Sequence, residues 1–76
     1  MGVRITIKFF KKHGDIGRLA RTEEYELDDV ELQDVTDKDG ELDRNVMRTL
    51  LTVSDITCEE YSGYAYEEIE MEEYTT

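Results

Sequence analysis

In VRITIKFF, residues 3–10, Val3, Ile5, Ile7 and Phe9 alternate with Arg4, Thr6, Lys8 and Phe10. This two-residue period, rich in β-branched residues on one side, predicts a half-buried strand. KKHGDIGR follows, and its two glycines predict a loop. RTEEYEL and VELQDVT predict two further strands around an Asp28–Asp29 turn, with Tyr25 and Leu27 inward and Glu24 and Glu26 outward. The period then lengthens. Leu42, Val46, Leu50 and Val53 recur at helical spacing, widened by Met47 and Leu51, with Arg44 and Arg48 opposite. A helix is expected over residues 41–52, with Asp39 or Glu41 near its positive end. The β-branched residues of 45–53 make a strand the competing assignment.

The last stretch offers a hairpin. DITCEEY and YAYEEIEMEEY flank Ser62-Gly63, a pair suited to a tight turn. A two-residue loop there turns Ile56, Cys58, Ala65, Ile69 and Met71 inward. It turns Asp55, Glu59, Tyr61, Tyr64, Tyr66, Glu68, Glu70, Glu72 and Tyr74 outward. A one-residue slip inverts both sets, so burial of the isoleucines selects this register. The expected fold is α+β: a single domain over residues 1–76, with an antiparallel sheet of four to five strands and one helix packed on one face.

Composition sharpens the picture. The chain has 76 residues, 38% hydrophobic and 38% charged, with a mean hydropathy of −0.66. A domain this small buries only about 60% of its unfolded surface. Nine Lys and Arg against 20 Asp and Glu leave a net charge of −11. That charge argues against direct contact with nucleic acid, whose binding rests on cations neutralising phosphates, and points to a basic protein as partner. It is also segregated: residues 1–21 carry six cations and one carboxylate, whereas residues 54–76 carry eight carboxylates and no cation. Cys58 is the sole cysteine, so no internal disulfide forms and a reducing, cytoplasmic setting is expected. No apolar run has membrane-spanning length, so no membrane partner is expected. MGVRIT fits the N-myristoylation pattern, but the same residues open a strand and one acyl chain anchors weakly.

Catalytic chemistry has little to work with. A reactive cysteine needs cations beside it, and Glu59 and Glu60 follow Cys58 directly. His13 reads as a solvated loop residue. No enzyme activity, cofactor or metal is expected. DVTDKDGELD suggests a calcium loop, but setting Gly40 at the sixth position puts Val35 first and Val46 twelfth, where oxygen ligands belong. A turn leading into the helix fits better. The Gly-x-x-Gly of residues 14–17 matches the backbone clamp of KH domains in spacing, yet it follows a strand rather than joining two helices.

The acidic, tyrosine-rich face remains. Carboxylates on one side of a strand recur about every 6.6 Å, a fixed row of negative charge comparable to a nucleic-acid strand with one charge per roughly 3.4 Å. No lysine breaks the row, and tyrosine suits interfaces because it joins rigid area to a hydroxyl. Taken whole, the composition resembles the small acidic inhibitors that bacteriophages direct against restriction or CRISPR enzymes. The resemblance implies an inhibitor that imitates nucleic-acid charge in the basic cleft of a nucleic-acid-binding protein. The candidate residues are Glu59, Glu68, Glu70 and Glu72, with Tyr61, Tyr64 and Tyr66 beside them and Glu24 and Glu26 as second choices. The main alternative is an acidic adaptor or subunit docking on one specific protein without mimicry. The expected order of elements also resembles a ubiquitin-like module, although EEYTT lacks the diglycine that conjugation needs. A third reading has the tyrosines drive self-association. Sheet order discriminates: if strand 3–10 lies beside strand 64–74, Arg4 and Lys8 face Glu68 and Glu70 and partly neutralise the row.

Overall fold

Residues 1–13 and 16–75 are described by a computed structural model. The apolar alternation of the first strand makes it the spine of the sheet. β1, Gly2–His13, lies between β2, Ile16–Asp28, and β3, Tyr66–Tyr74, in the order β2-β1-β3 with both pairings antiparallel. Val3, Ile5, Ile7 and Phe9 are fully buried, each contributing about 1.5–3 kcal/mol through the apolar surface it removes from water. Beside them on the same face stand Tyr25 and Leu27 from β2 and Ile69 and Met71 from β3.

Three helices close this face. α1 spans Leu32–Val35, α2 spans Arg44–Val53 and α3 spans Cys58–Ser62. Val35, Leu42, Leu50 and Ile56 complete the buried core from the helical side. α2 begins where Asp43 accepts hydrogen bonds from the Asn45 and Val46 amides, which satisfies donors that the first helical turn leaves open. It ends in a Schellman arrangement: Asp55 takes the left-handed conformation at φ 57°, and the Ile56 amide returns to the Leu51 carbonyl at 2.9 Å.

The α+β class and the antiparallel sheet agree with the sequence pattern; the count of elements does not. There are three strands and three helices among the described residues, against four to five strands and one helix expected. The expected loop after residue 10 is a strand on both sides: β1 runs to His13 and β2 restarts at Ile16. Gly14 and Asp15, part of the Gly-x-x-Gly considered above, and the His13 side chain lie outside the described residues. VELQDVT forms the single turn of α1 instead of a strand, because the Asp34 carboxylate accepts from the Glu31 amide at 2.8 Å and winds the chain locally. Thr36 then makes an isolated bridge to Leu42. The helix over residues 41–52 is realised as α2 with its start moved to Arg44, and Val53, expected in its apolar stripe, is 69% exposed.

The largest correction concerns the terminal hairpin. Residues 58–62 are α3, so Ser62-Gly63 ends a helix rather than turning a hairpin. Thr57 caps α3 by accepting from the Glu60 amide at 3.0 Å, and Glu59 and Glu60 favour the positive end of that turn. β3 consequently pairs with β1.

Candidate functional site

With the helices all on one side, no element among the described residues covers the other side of the sheet. Its rows follow from the register. Glu26, Arg4 and Glu72 form one row; Glu24, Thr6 and Glu70 the next; Thr22, Lys8 and Glu68 the next. Asp28, Gly2 and Tyr74 close one end, and Leu19, Phe10 and Tyr66 the other. From Gly2 to Phe10, six carboxylates on the flanking strands face two cations on the central strand, leaving the face four charges negative.

The carboxylates are not equivalent. Arg4 reaches Glu26 at 3.2 Å and Glu72 at 4.0 Å, and its guanidinium lies 5.3 Å from the centre of the Tyr74 ring. Both ion pairs are exposed, so water screens them and each contributes only a few tenths of a kcal/mol. Asp28 accepts from the Tyr74 hydroxyl at 2.6 Å, a bond that pushes the phenol up to about 12, with desolvation adding to it. Tyr74 crosses Gly2 to make that bond, and a Cβ on Gly2 would stand 2.6 Å from the ring. Among the described residues, no ion pair involves Glu24, Glu68, Glu70 or Lys8. The neutralisation anticipated from adjacent strands is therefore partial: Lys8 stands opposite Glu68, but Arg4 stands opposite Glu72, and Glu70 faces Thr6.

Glu24, Glu26, Glu68, Glu70, Glu72 and Tyr66 thus share the open face. The remaining candidates do not. Glu59 is exposed on α3. Tyr61 and Tyr64 point to the core side, where Tyr64 stacks on Phe9 with centroids 4.9 Å apart and Tyr61 meets Phe9 edge-on at 6.3 Å. Burial of the Tyr61 hydroxyl, then its 2.7 Å bond to Glu67, raises it to about 12. Cys58, expected inward, is exposed, as is Ala65. The site residue that the sequence pattern missed is Asp28, which simply continues the alternation of Glu24 and Glu26; Arg4, anticipated among Glu68 and Glu70, stands instead between Glu26 and Glu72.

A polar cluster stands on the core side at the middle of β2. Arg21 donates to Glu23 at 2.6 Å, to Glu60 at 2.7 Å and to the Ser54 carbonyl at 2.9 Å. These bonds, that to Glu23 foremost, raise the guanidinium further, while the Tyr64 hydroxyl and then Arg21 hold Glu60 below the usual carboxylate range. The cluster ties β2 to α3 and to the end of α2. Each of its charged groups already has a partner, so it reads as a structural clasp. No set of three or more His, Cys, Asp or Glu side chains arranged to hold a metal ion occurs among the described residues. No described helix is long and apolar enough to cross a membrane.

Comparison with protein-family models, curated proteins and solved structures found no match to this chain.

Proposed function

We propose that this protein is a small acidic inhibitor that lays its open sheet face on the basic surface of a nucleic-acid-binding protein and keeps nucleic acid out. The observation that carries this reading is the uncovered face itself, with two rows of three carboxylates, Glu24-Glu26-Asp28 and Glu68-Glu70-Glu72, on rigid paired strands. Strands hold the charges at fixed spacing, so little ordering cost falls on binding. A net charge of four on this face attracts a basic cleft and speeds encounter.

One feature favours the second reading, an adaptor that docks without mimicry. Arg4 sits in the middle of the face, held between Glu26 and Glu72, where an imitation of a phosphate backbone gains nothing from a cation. A single substitution separates the two. Under mimicry, Arg4→Glu makes the face more anionic and tightens the complex. Under docking by shape and mixed charge, the same change removes a contact and weakens it by about tenfold.

The first experiment is capture of the basic partner with the immobilised protein, followed by titration between about 0.05 and 0.2 M salt. Affinity is expected to fall steeply over that range, and reversal of Glu68, Glu70 and Glu72 together to lysine to abolish binding with the circular dichroism spectrum unchanged. Added nucleic acid should displace the inhibitor. A complex that binds nucleic acid and this protein at once identifies the adaptor instead.

A further inference from the structure

The open face is one side of β3; the opposite side of the same strand borders a groove. Met47 and Leu51 of α2, Ile56 and Tyr61, and Ile69 and Met71 of β3 line a cavity of about 980 Å³ on the helical side, together with the charged Glu41, Arg44, Arg48 and Glu67. Most of these side chains are only half-buried. β3 is also an edge strand, so one row of its backbone N–H and C=O groups has no neighbouring strand. Tyr66–Tyr74 therefore offers an unpaired ladder with an acidic row above it and, below it, the apolar pair Ile69 and Met71 flanked by Glu67 and Glu73.

Resting on the reading that the acidic rows meet a basic protein, we infer that the contact is made by strand addition. An extended segment of the partner, alternating basic and apolar side chains, pairs with β3 as a fourth strand. Its cations fall opposite Glu68, Glu70 and Glu72, at the cross-strand distance where opposite charges stabilise a sheet. Its apolar side chains, on the alternate face, enter the groove beside Ile69 and Met71.

The other edge of the sheet does not offer this combination. β2 carries acids on its outer face too, but its core side sets Arg21 and Glu23, tied to Glu60 of α3, beside Tyr25 and Leu27, and no β2 residue lines the groove. Self-pairing through β3 is disfavoured as well. Two copies laid edge to edge would set glutamates opposite glutamates on the outer face, a like-charge arrangement that protects edge strands from their own kind. A segment of opposite charge escapes that repulsion.

The test uses the 76-residue protein and synthetic peptides. One peptide alternates lysine and valine over about nine residues; a second holds the same residues in two blocks. A third and a fourth are the alternating peptide N-methylated along one backbone edge or the other. Binding is read by fluorescence anisotropy at about 0.1 M salt. Expected is at least about tenfold tighter binding for the alternating peptide than for the block peptide. Methylation of one edge should abolish binding while methylation of the other leaves it intact. Amide exchange should slow within residues 66–74, and the Met47, Leu51 and Met71 methyl signals should shift. If alternating and block peptides bind alike, strand addition is overturned while the acidic-face reading stands. If the alternating peptide binds equally well with either edge methylated, or occupies the groove as a helix without protecting β3 amides, strand addition is likewise overturned. If no basic peptide binds even at low salt, both proposals fall.

Discussion

Asp55 stands at φ 57°, in the left-handed region that costs an L-residue with a Cβ about 1–2 kcal/mol. Glycine is the usual occupant of this position after a helix. Asp55→Gly is therefore expected to raise the thermal midpoint, by up to about 1 kcal/mol of stability after the entropy that glycine gains in the unfolded chain. Differential scanning calorimetry checks it, and an unchanged or lowered midpoint would contradict the Schellman geometry. Single residues also set the pH limits. Glu60 is held below its ordinary range by the Tyr64 hydroxyl and Arg21, so the stability it contributes is full above about pH 4.3 and fades as pH falls through its folded value. Tyr61 is raised to about 12, so its contribution is full below about pH 10 and is lost as pH rises through 12. A stability profile should therefore weaken at both ends. Glu60→Gln should flatten the acid limb only, and ultraviolet titration should find Tyr61 and Tyr74 still protonated near pH 11.

Elements were legible wherever a local pattern stood alone. The alternation of residues 3–10 predicts β1 and its two faces, and every residue from Val3 to Phe9 takes the expected side. α2 was legible for the same reason, from Leu42, Val46 and Leu50. α3 was misassigned although Thr57-Cys58-Glu59-Glu60 carries a Ser/Thr-x-x-Glu start signal. The turn chemistry of Ser62-Gly63 and the alternation further on favoured a hairpin, and a five-residue helix has no periodicity to oppose it. The cap that decides the matter gives a test. Thr57→Ala removes the bond to the Glu60 amide and should cost about 1 kcal/mol. Because α3 carries Tyr61 against Phe9, near-ultraviolet circular dichroism should lose tyrosine signal in the same variant. Asp43→Ala, at the start of α2, should cost a similar amount without that spectral change.

The whole molecule is elongated, 42 × 24 × 22 Å, and its charge is divided along the chain. Residues 11–21 hold four cations and one carboxylate, while the remainder carries nineteen carboxylates against five cations. Lys11, Lys12 and Arg18 lie past β3, whose first residue pairs with Phe10. Ile16 and Leu19 on this extension are more than half exposed. Like charges elsewhere repel one another in the folded state and relax on unfolding. Raising salt from about 0.01 to 1 M shrinks the Debye length from roughly 30 to 3 Å. The thermal midpoint should therefore rise over a range in which partner binding weakens. A midpoint that falls with salt would mean that ion pairs such as those of Arg21 outweigh the repulsion.

Periodicity by itself determined which side of each strand is apolar, because alternation is a property of neighbouring residues. It placed Glu24, Glu26, Glu68, Glu70 and Glu72 outward, although the hairpin partner expected for residues 64–74 is α3 instead of a strand. Tertiary structure alone decided that β1 lies between β2 and β3, which sets Arg4 and Lys8 among those carboxylates. It also turned Tyr61 and Tyr64 onto Phe9 and away from the open face. Strand order depends on contacts between residues some sixty positions apart, such as Ile7 with Ile69, and no pattern in a short window encodes such a distance.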